Sequence, residues 1–232
     1  MQHFILKGIE LRAKNQVEIR DKEIVHQMIK VLRFRAGDKC VILDGLGEKA
    51  DGEILELHKK GAVIALSEHS VCVAPKRRVR LCVALSKKPA TFELIVQKAV
   101  ELGVTDIIPI VSERCQASEI RKPERLDAIL REACEQSERC FLPKMHEVLS
   151  LGDFLENLPS GTLLAGDARD TDGSLKDMDT SGNINLLIGP EGGFTENELG
   201  VLRSADSKIF LLGDTVLRME TAAIAALAIV LL

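Results

Sequence analysis

The sequence predicts an α/β protein in two parts: a small β-rich N-terminal region, then a larger region built on a mostly parallel sheet. Three observations carry this. From residue 79 onward, short apolar runs alternate with helix-periodic segments, the rhythm of parallel strands covered by helices. Before residue 75, turn signals come too close together for such crossovers and suit a small barrel or sandwich instead. Twice after residue 180, an apolar strand runs into a glycine-bearing loop and then a helix start. The first case is Leu187-Ile188-Gly189-Pro190-Glu191-Gly192-Gly193, and the second is Leu212-Gly213 leading to Val216-Leu217-Arg218. Two such loops, one strand–helix unit apart, can line one crevice at the strand ends of an α/β sheet.

In order, Asp21 is the expected cap of a helix running through Leu32, with Ile24, Val25, Met28, Ile29 and Leu32 on one face. Residues 40–43 form a strand that ends at Asp44-Gly45. Residues 53–57 alternate polar and apolar, and a turn at Lys60-Gly61 leads into 62–66. Pro75 marks the boundary, giving domains 1–74 and 75–232. Beyond it, 79–85 reads as a buried strand. Pro89 opens a helix with Phe92, Ile95, Val96, Ala99 and Leu102 inward, and Gly103 stops it. Residues 107–111 form a strand, and Pro123 begins a longer helix with Leu126, Ile129, Leu130, Ala133 and Cys134 inward. Residues 163–166, 184–189 and 209–212 are further strands, and the polar stretch 167–185 reads as a loop with little regular structure.

Thr195-Glu196-Asn197-Glu198 is a capping box that places a helix N-terminus directly after the first glycine loop. Free N–H groups there can bind a ligand carboxylate or hydroxyl. The alternative is a tight turn that needs glycine for geometry alone. Residues 219–232 are apolar on nearly every face, as in a buried core helix or a dimer helix.

Composition narrows the classes. Of 232 residues, 46% are apolar and 28% charged, which is globular rather than disordered. Trp and Tyr are absent, which speaks against a large aromatic stacking platform. A net charge of −4 argues against a coat of positive charge but leaves room for local basic patches. The six cysteines include no CxxC pair and the histidines are not spaced as zinc partners, so no metal is expected. Most cysteines sit in apolar runs, where a thiol acts as a small core residue. No signal-peptide pattern is present, and the apolar run 221–232 is too short to span a bilayer. The expectation is a reduced, cytoplasmic protein without a membrane segment.

The paired loops, together with Glu220-Thr221-Ala222, resemble the SPOUT superfamily of trefoil-knotted RNA methyltransferases, and more narrowly its ribosomal small-subunit methyltransferase E family. His26, Val31-Leu32-Arg33 and Gly37-Asp38 match the N-terminal pattern of that family. Lys98, Glu101-Leu102-Gly103-Val104, Ser112-Glu113-Arg114, Glu135-Gln136-Ser137 and Arg139 match its middle. Four positions depart from it: Met219 stands where Thr is usual, Glu138 where Gly is usual, Cys115 where Ser is common, and His3-Phe4 where an Arg is usual.

The resemblance implies a SPOUT-type knotted domain, a PUA-like RNA-binding barrel and a homodimer. It implies S-adenosylmethionine as cofactor, and methylation of N3 of a uridine in 16S rRNA of the 30S subunit. Leu164, Ile188, Gly189, Glu191, Gly192, Leu212, Gly213, Val216, Leu217 and Thr221 are the implied cofactor contacts. Arg218, Glu220 and Arg139 are the catalytic candidates, and Arg33, Arg35 and Arg114 the RNA-binding ones. The basic run 76–80 reads either as a phosphate grip or as solvated surface. Two rival readings are a SPOUT enzyme acting on another RNA and a non-enzymatic RNA-binding protein of the same plan. The paired glycine loops count against the second, since binding alone needs no cofactor crevice.

Overall fold

Burial alternates along residues 48–54 but is unbroken along 79–84, and that contrast separates two kinds of sheet. The computed structural model describes residues 1–169 and 171–232. It forms two units: Met1–Ala74 with Cys134–Leu142, and Pro75–Ala133 with Pro143–Leu232.

The first unit is a five-stranded sheet. Its strands are β1 (Gln2–Ile5), β2 (Gln16–Ile19), β3 (Lys39–Leu43), β4 (Glu48–His58) and β5 (Gly61–Val71), in the order β1-β3-β4-β5-β2. Only β1 and β3 pair in parallel. Phe4, Ile24, Met28, Ile42, Ile54 and Ile64 fill its core. Asp21 caps α1 (Lys22–His26) by accepting from the Glu23 and Ile24 amides at 2.8 and 3.0 Å. The expected helix through Leu32 is α-helical only to His26. A π-helical turn, Gln27–Val31, follows, and Arg33 ends it at φ 56 while the Phe34 amide donates to the Met28 carbonyl at 2.9 Å. The wider winding keeps Met28, Ile29 and Leu32 against the same core.

Segment Cys134–Leu142 completes this unit. Glu135 accepts from the Ile5 amide at 2.9 Å, and the Leu142 amide donates to the Gly45 carbonyl at 2.9 Å. Phe141 lies against Gly47, where φ is +115 and a β-carbon would stand 2.5 Å from the ring. Cys72 and Cys140 form a disulfide, which corrects the expectation of a fully reduced chain. Their 68-residue separation carries no spacing signal; only the return of the chain at 134–142 brings them together. Cys40, Cys82 and Cys134 are buried free thiols, pushed up by burial to about 12 in Cys40 and about 11 in Cys134.

The second unit is a parallel sheet. It comprises β6 (Val79–Ala84), β7 (Asp106–Val111), β8 (Lys144–Met145), β9 (Leu149–Ser150), β10 (Thr162–Gly166), β11 (Gly173–Ser174), β12 (Ile184–Ile188) and β13 (Lys208–Leu211). The order is β11-β13-β10-β12-β6-β7-β8, with β9 beside β7. Its helices are α2 (Pro89–Leu102), α3 (Pro123–Gln136, whose end joins the first unit), α4 (Leu151–Glu156), α5 (Glu196–Ser204) and α6 (Met219–Leu231). The stretch expected to be an irregular loop contains β11 and a 3-10 turn, Leu175–Asp177, anchored by buried Leu175; Asp170 within it lies outside the described residues.

The basic run 76–80 fits neither of its two sequence readings in full. Arg77 donates to the carbonyls of Thr180 and Val230, and Arg80 is buried and donates to Ser160 O and Asn185 Oδ1. Arg78 stands 3.5 Å from Asp106. These arginines tie strand entries to loop carbonyls and to the far end of α6.

Candidate active site

Three adjacent parallel strands, β12, β10 and β13, end on one edge of the sheet and release the loops 189–194, 166–169 and 212–218. The chain steps from β10 to β12 on one side and then to β13 on the other, which makes this the topological switch point where α/β folds place ligands. The loops enclose a cavity of about 860 Å³, joined by Lys88, Thr91 and Arg114. That volume suits a small-molecule site.

The glycines divide by what their missing side chains would meet. A β-carbon on Gly189 would lie 2.9 Å from the Phe194 ring, and one on Gly192 would lie 3.3 Å from Arg114. Both therefore serve close packing inside the protein. Gly193 has φ +69, and its amide closes a turn onto the Pro190 carbonyl at 2.9 Å. At Gly213 nothing stands within 4 Å of where a side chain would begin.

The capping box forms as its sequence indicates. Thr195 Oγ1 accepts from the Glu198 amide at 3.2 Å, and Glu198 Oε2 accepts from the Thr195 amide at 2.9 Å. Glu198 is buried, and its other oxygen accepts from the Glu113 amide at 2.8 Å. Behind the first glycine loop, buried Ser86 donates to Glu191 Oε1 at 2.5 Å, which fixes a carboxylate at the cavity edge. Arg218 is the N-cap of α6, and the first-turn amides of Met219, Glu220 and Thr221 precede its first helical bond, Ala222 N to Arg218 O. This end of α6 is the positive end of its dipole, a favourable place for the Glu220 carboxylate.

Of the residues expected from sequence, Ile188, Gly189, Glu191, Gly192, Leu212, Gly213, Val216, Leu217, Arg218, Glu220 and Arg114 line this cavity. Leu164 does not: it is fully buried in β10, and the strand reaches the cavity two residues later, at Gly166. Thr221 is exposed on α6 and is not among the lining residues. Arg139 belongs to the Cys134–Leu142 segment of the first unit and is absent from the lining; burial pushes its guanidinium below its ordinary value. Arg33 and Arg35 are exposed in the first unit on either side of Phe34. Sequence reasoning passed over Ser86, Gly166, Asp167 and Phe210. Only Gly166-Asp167 carried a usable signal, a glycine ending an apolar run. Among the described residues, no cluster of three His, Cys, Asp or Glu is placed to hold a metal, and no helix is long and apolar enough to cross a membrane.

Known proteins agree with this geometry. A family profile described as "RNA methyltransferase domain" matches residues 74–231, and one described as "RNA methyltransferase PUA domain" matches 19–67. A ribosomal RNA small subunit methyltransferase E from Rickettsia conorii is 31% identical over 94% of this chain and 90% of its own length. The crystal structure of a protein of that name from Neisseria gonorrhoeae, bound to S-adenosyl methionine, superposes with a TM-score of 0.89. It is 31% identical and covers 98% of this chain and 95% of its own. A methyltransferase from Legionella pneumophila in complex with the same cofactor gives 0.87 at 26% identity, covering 99% and 95%.

Fold and cavity together define an S-adenosylmethionine-dependent RNA methyltransferase, with a SPOUT-type knotted α/β domain and a PUA-like β-domain. The residues present suit that cofactor: glycine-bearing backbone at three strand ends, apolar surface from Ile188, Phe210, Leu212 and Leu217, and the open face of Gly213. The chain belongs to the ribosomal RNA small subunit methyltransferase E family.

Proposed function

We propose that this protein methylates N3 of a specific uridine in 16S rRNA of the small ribosomal subunit, as a cytoplasmic homodimer. The observation that carries the reading is the placement of Arg218 at the N-cap and Glu220 in the first turn of α6, both lining the glycine-loop cavity. The backbone of residues 188–192 and 212–217 would hold S-adenosylmethionine, which would supply the methyl group as a sulfonium. Uracil N3–H is a weak acid. With a pKa roughly two units above the working pH, forming its anion costs about 2.7 kcal/mol. Arg218 and the α6 amides bring positive charge to the uracil oxygens, where negative charge develops. Glu220 accepts the N3 proton, and Glu191, fixed by Ser86, adds negative charge to the cavity wall. The step drawn from this cavity uses Arg218 rather than Arg139.

Arg33 and Arg35 are the proposed RNA contacts of the PUA-like unit. They flank Phe34, whose ring meets Phe4 edge-on at 6.2 Å, so the two guanidiniums project from a packed base. Transfer of tritiated methyl groups into 30S subunits, naked 16S rRNA and tRNA tests the assignment, with nucleoside analysis of the product. Label in 3-methyluridine from small-subunit RNA is expected. Label confined to tRNA, or to another base, would sink it.

The homodimer reading rests on α6. Its buried face is Met219, Ala223, Ala226, Leu227 and Val230, yet the other side still carries half-buried Ala222, Ile224, Ala225, Ala228 and Ile229. An apolar face of that extent is covered by a second copy in a symmetric dimer. Sedimentation at micromolar concentration is expected to show a dimer, and a fully active monomer would rule it out.

A further inference from the structure

We infer that Arg114 is a positioning residue for the cofactor loop: it sets the conformation of residues 190–194, so that its removal weakens cofactor binding and leaves RNA binding intact. The inference rests on the cofactor reading of the same cavity.

Three contacts lead to it. First, Arg114 Nη1 donates to the Gly192 carbonyl at 2.8 Å and to the Phe194 carbonyl at 3.1 Å. One charged nitrogen thereby gathers the two carbonyls that bracket Gly193, the residue at φ +69. The peptide planes following Gly192 and Phe194 are both fixed, and charge-assisted bonds of this kind are about twice as strong as neutral ones. Second, the aliphatic stem fills the space a side chain at 192 would need, with Arg114 Cδ and Cβ at 3.3 and 3.4 Å from a β-carbon built there. A side chain at 192 would therefore crowd the Arg114 stem by a few tenths of an ångström. Third, the backbone beside Arg114 is itself anchored. The Glu113 amide donates to buried Glu198, whose second oxygen caps the helix that follows the loop, and the Cys115 amide closes a turn onto the Ser112 carbonyl at 3.0 Å.

The loop after β7 and the loop after β12 are therefore joined at two places, one through a side chain and one through a cap. The grip consumes the Arg114 nitrogen nearest the loop in holding protein carbonyls.

The test compares wild type, Arg114→Ala, Arg114→Lys and Gly192→Ala. Calorimetry with S-adenosylhomocysteine is paired with filter binding of small-subunit RNA and amide hydrogen exchange over residues 190–195. Arg114→Ala is expected to lower S-adenosylhomocysteine affinity roughly tenfold, the effect of losing a charged hydrogen-bond pair. Exchange in 190–195 quickens, while RNA affinity and its salt slope stay at wild-type values. Arg114→Lys, which keeps the stem and one cation, recovers part of the affinity. Gly192→Ala, which crowds the stem, is expected to lower affinity less and to quicken exchange in 190–195, and Arg114→Lys keeps the test decisive if Arg114→Ala fails to fold. S-adenosylhomocysteine affinity and exchange rates unchanged in the folded variants would overturn the inference. So would a loss confined to RNA affinity, which would make Arg114 a nucleic-acid contact. Failure of wild type to bind S-adenosylhomocysteine would instead overturn the cofactor reading itself, and this inference with it.

Discussion

Glu138 holds φ 58, in the left-handed region where a β-carbon costs roughly 1–2 kcal/mol and glycine is at ease. The family resemblance expects glycine here, and the positive φ supplies a physical reason for it. Glu138→Gly is expected to raise stability by about 1 kcal/mol in urea unfolding, since strain is removed at no cost in core packing; a lower midpoint would show that the glutamate side chain contributes more than its strain costs. Arg218 lies at the other extreme, exposed and unstrained at the mouth of the cavity. Arg218→Ala is expected to slow single-turnover methylation on the order of a hundredfold, as for loss of a donor to developing charge. RNA affinity should stay close to wild type, and equal losses in both would make Arg218 an anchor rather than a catalytic group. At this scale the glycine loops were legible because glycine is rare enough in a strand–helix junction to need a cause. Ser86 was not legible, nor was the contact that Arg114 makes, because their partners Glu191 and Gly192 lie 105 and 78 residues away. Leu164 lies two residues short of the cavity, at a point in β10 where the side chains are still buried.

At the edge of the sheet opposite the cavity, β7 begins with the buried carboxylate of Asp106. His146 Nε2 lies 3.0 Å from Asp106 Oδ1, Thr105 Oγ1 donates to Oδ2 at 2.7 Å, and Arg78 stands 3.5 Å away. Burial pushes this carboxyl up, but the hydrogen bonds from His146 and Thr105 and the charge of Arg78 outweigh it and hold it below its ordinary value. A depressed carboxyl stabilises the fold above its unfolded pKa, and the contribution is lost as pH falls through the folded value. Asp106→Asn is therefore expected to lower stability by roughly 1–3 kcal/mol at pH 7, as for a broken buried network. The gap to wild type should close progressively below the ordinary carboxylate range, as thermal unfolding across pH will show. A gap independent of pH would assign the loss to packing instead. Elements themselves were legible where periodicity was long, as in α2 and α3, and where a cap was explicit, as at Thr195 and Asp21. The π-helical turn at Gln27–Val31 was not, since Met28, Ile29 and Leu32 fit an α-helical face equally well on paper. Nor was the role of the run 76–80, whose arginines find their acceptors in distant loops.

Over the whole chain, the closeness of turn signals before residue 75 and the strand–helix rhythm after residue 79 were enough to show two parts. They did not show that Cys134–Leu142 returns to the first unit, because that segment is too short to carry a pattern of its own. Its return allows the Cys72–Cys140 link, which closes a ring across a 68-residue separation. In the chain-entropy account a ring of that size restricts the unfolded ensemble by about 4 kcal/mol. The oxidised protein is expected to unfold at higher denaturant than the same protein in dithiothreitol or the Cys72→Ser variant, and coincident midpoints would show that both thiols are free in solution. The strand order has a further consequence, for biosynthesis. All six residues of β6 end up buried, yet on one side its partner is β12, with Val79 opposite Ile184. A nascent chain emerging from the ribosome therefore exposes an apolar strand edge until more than a hundred further residues have been translated. Any product released between α3 and β12 keeps that edge unpaired, a surface of the kind chaperones and proteases act on.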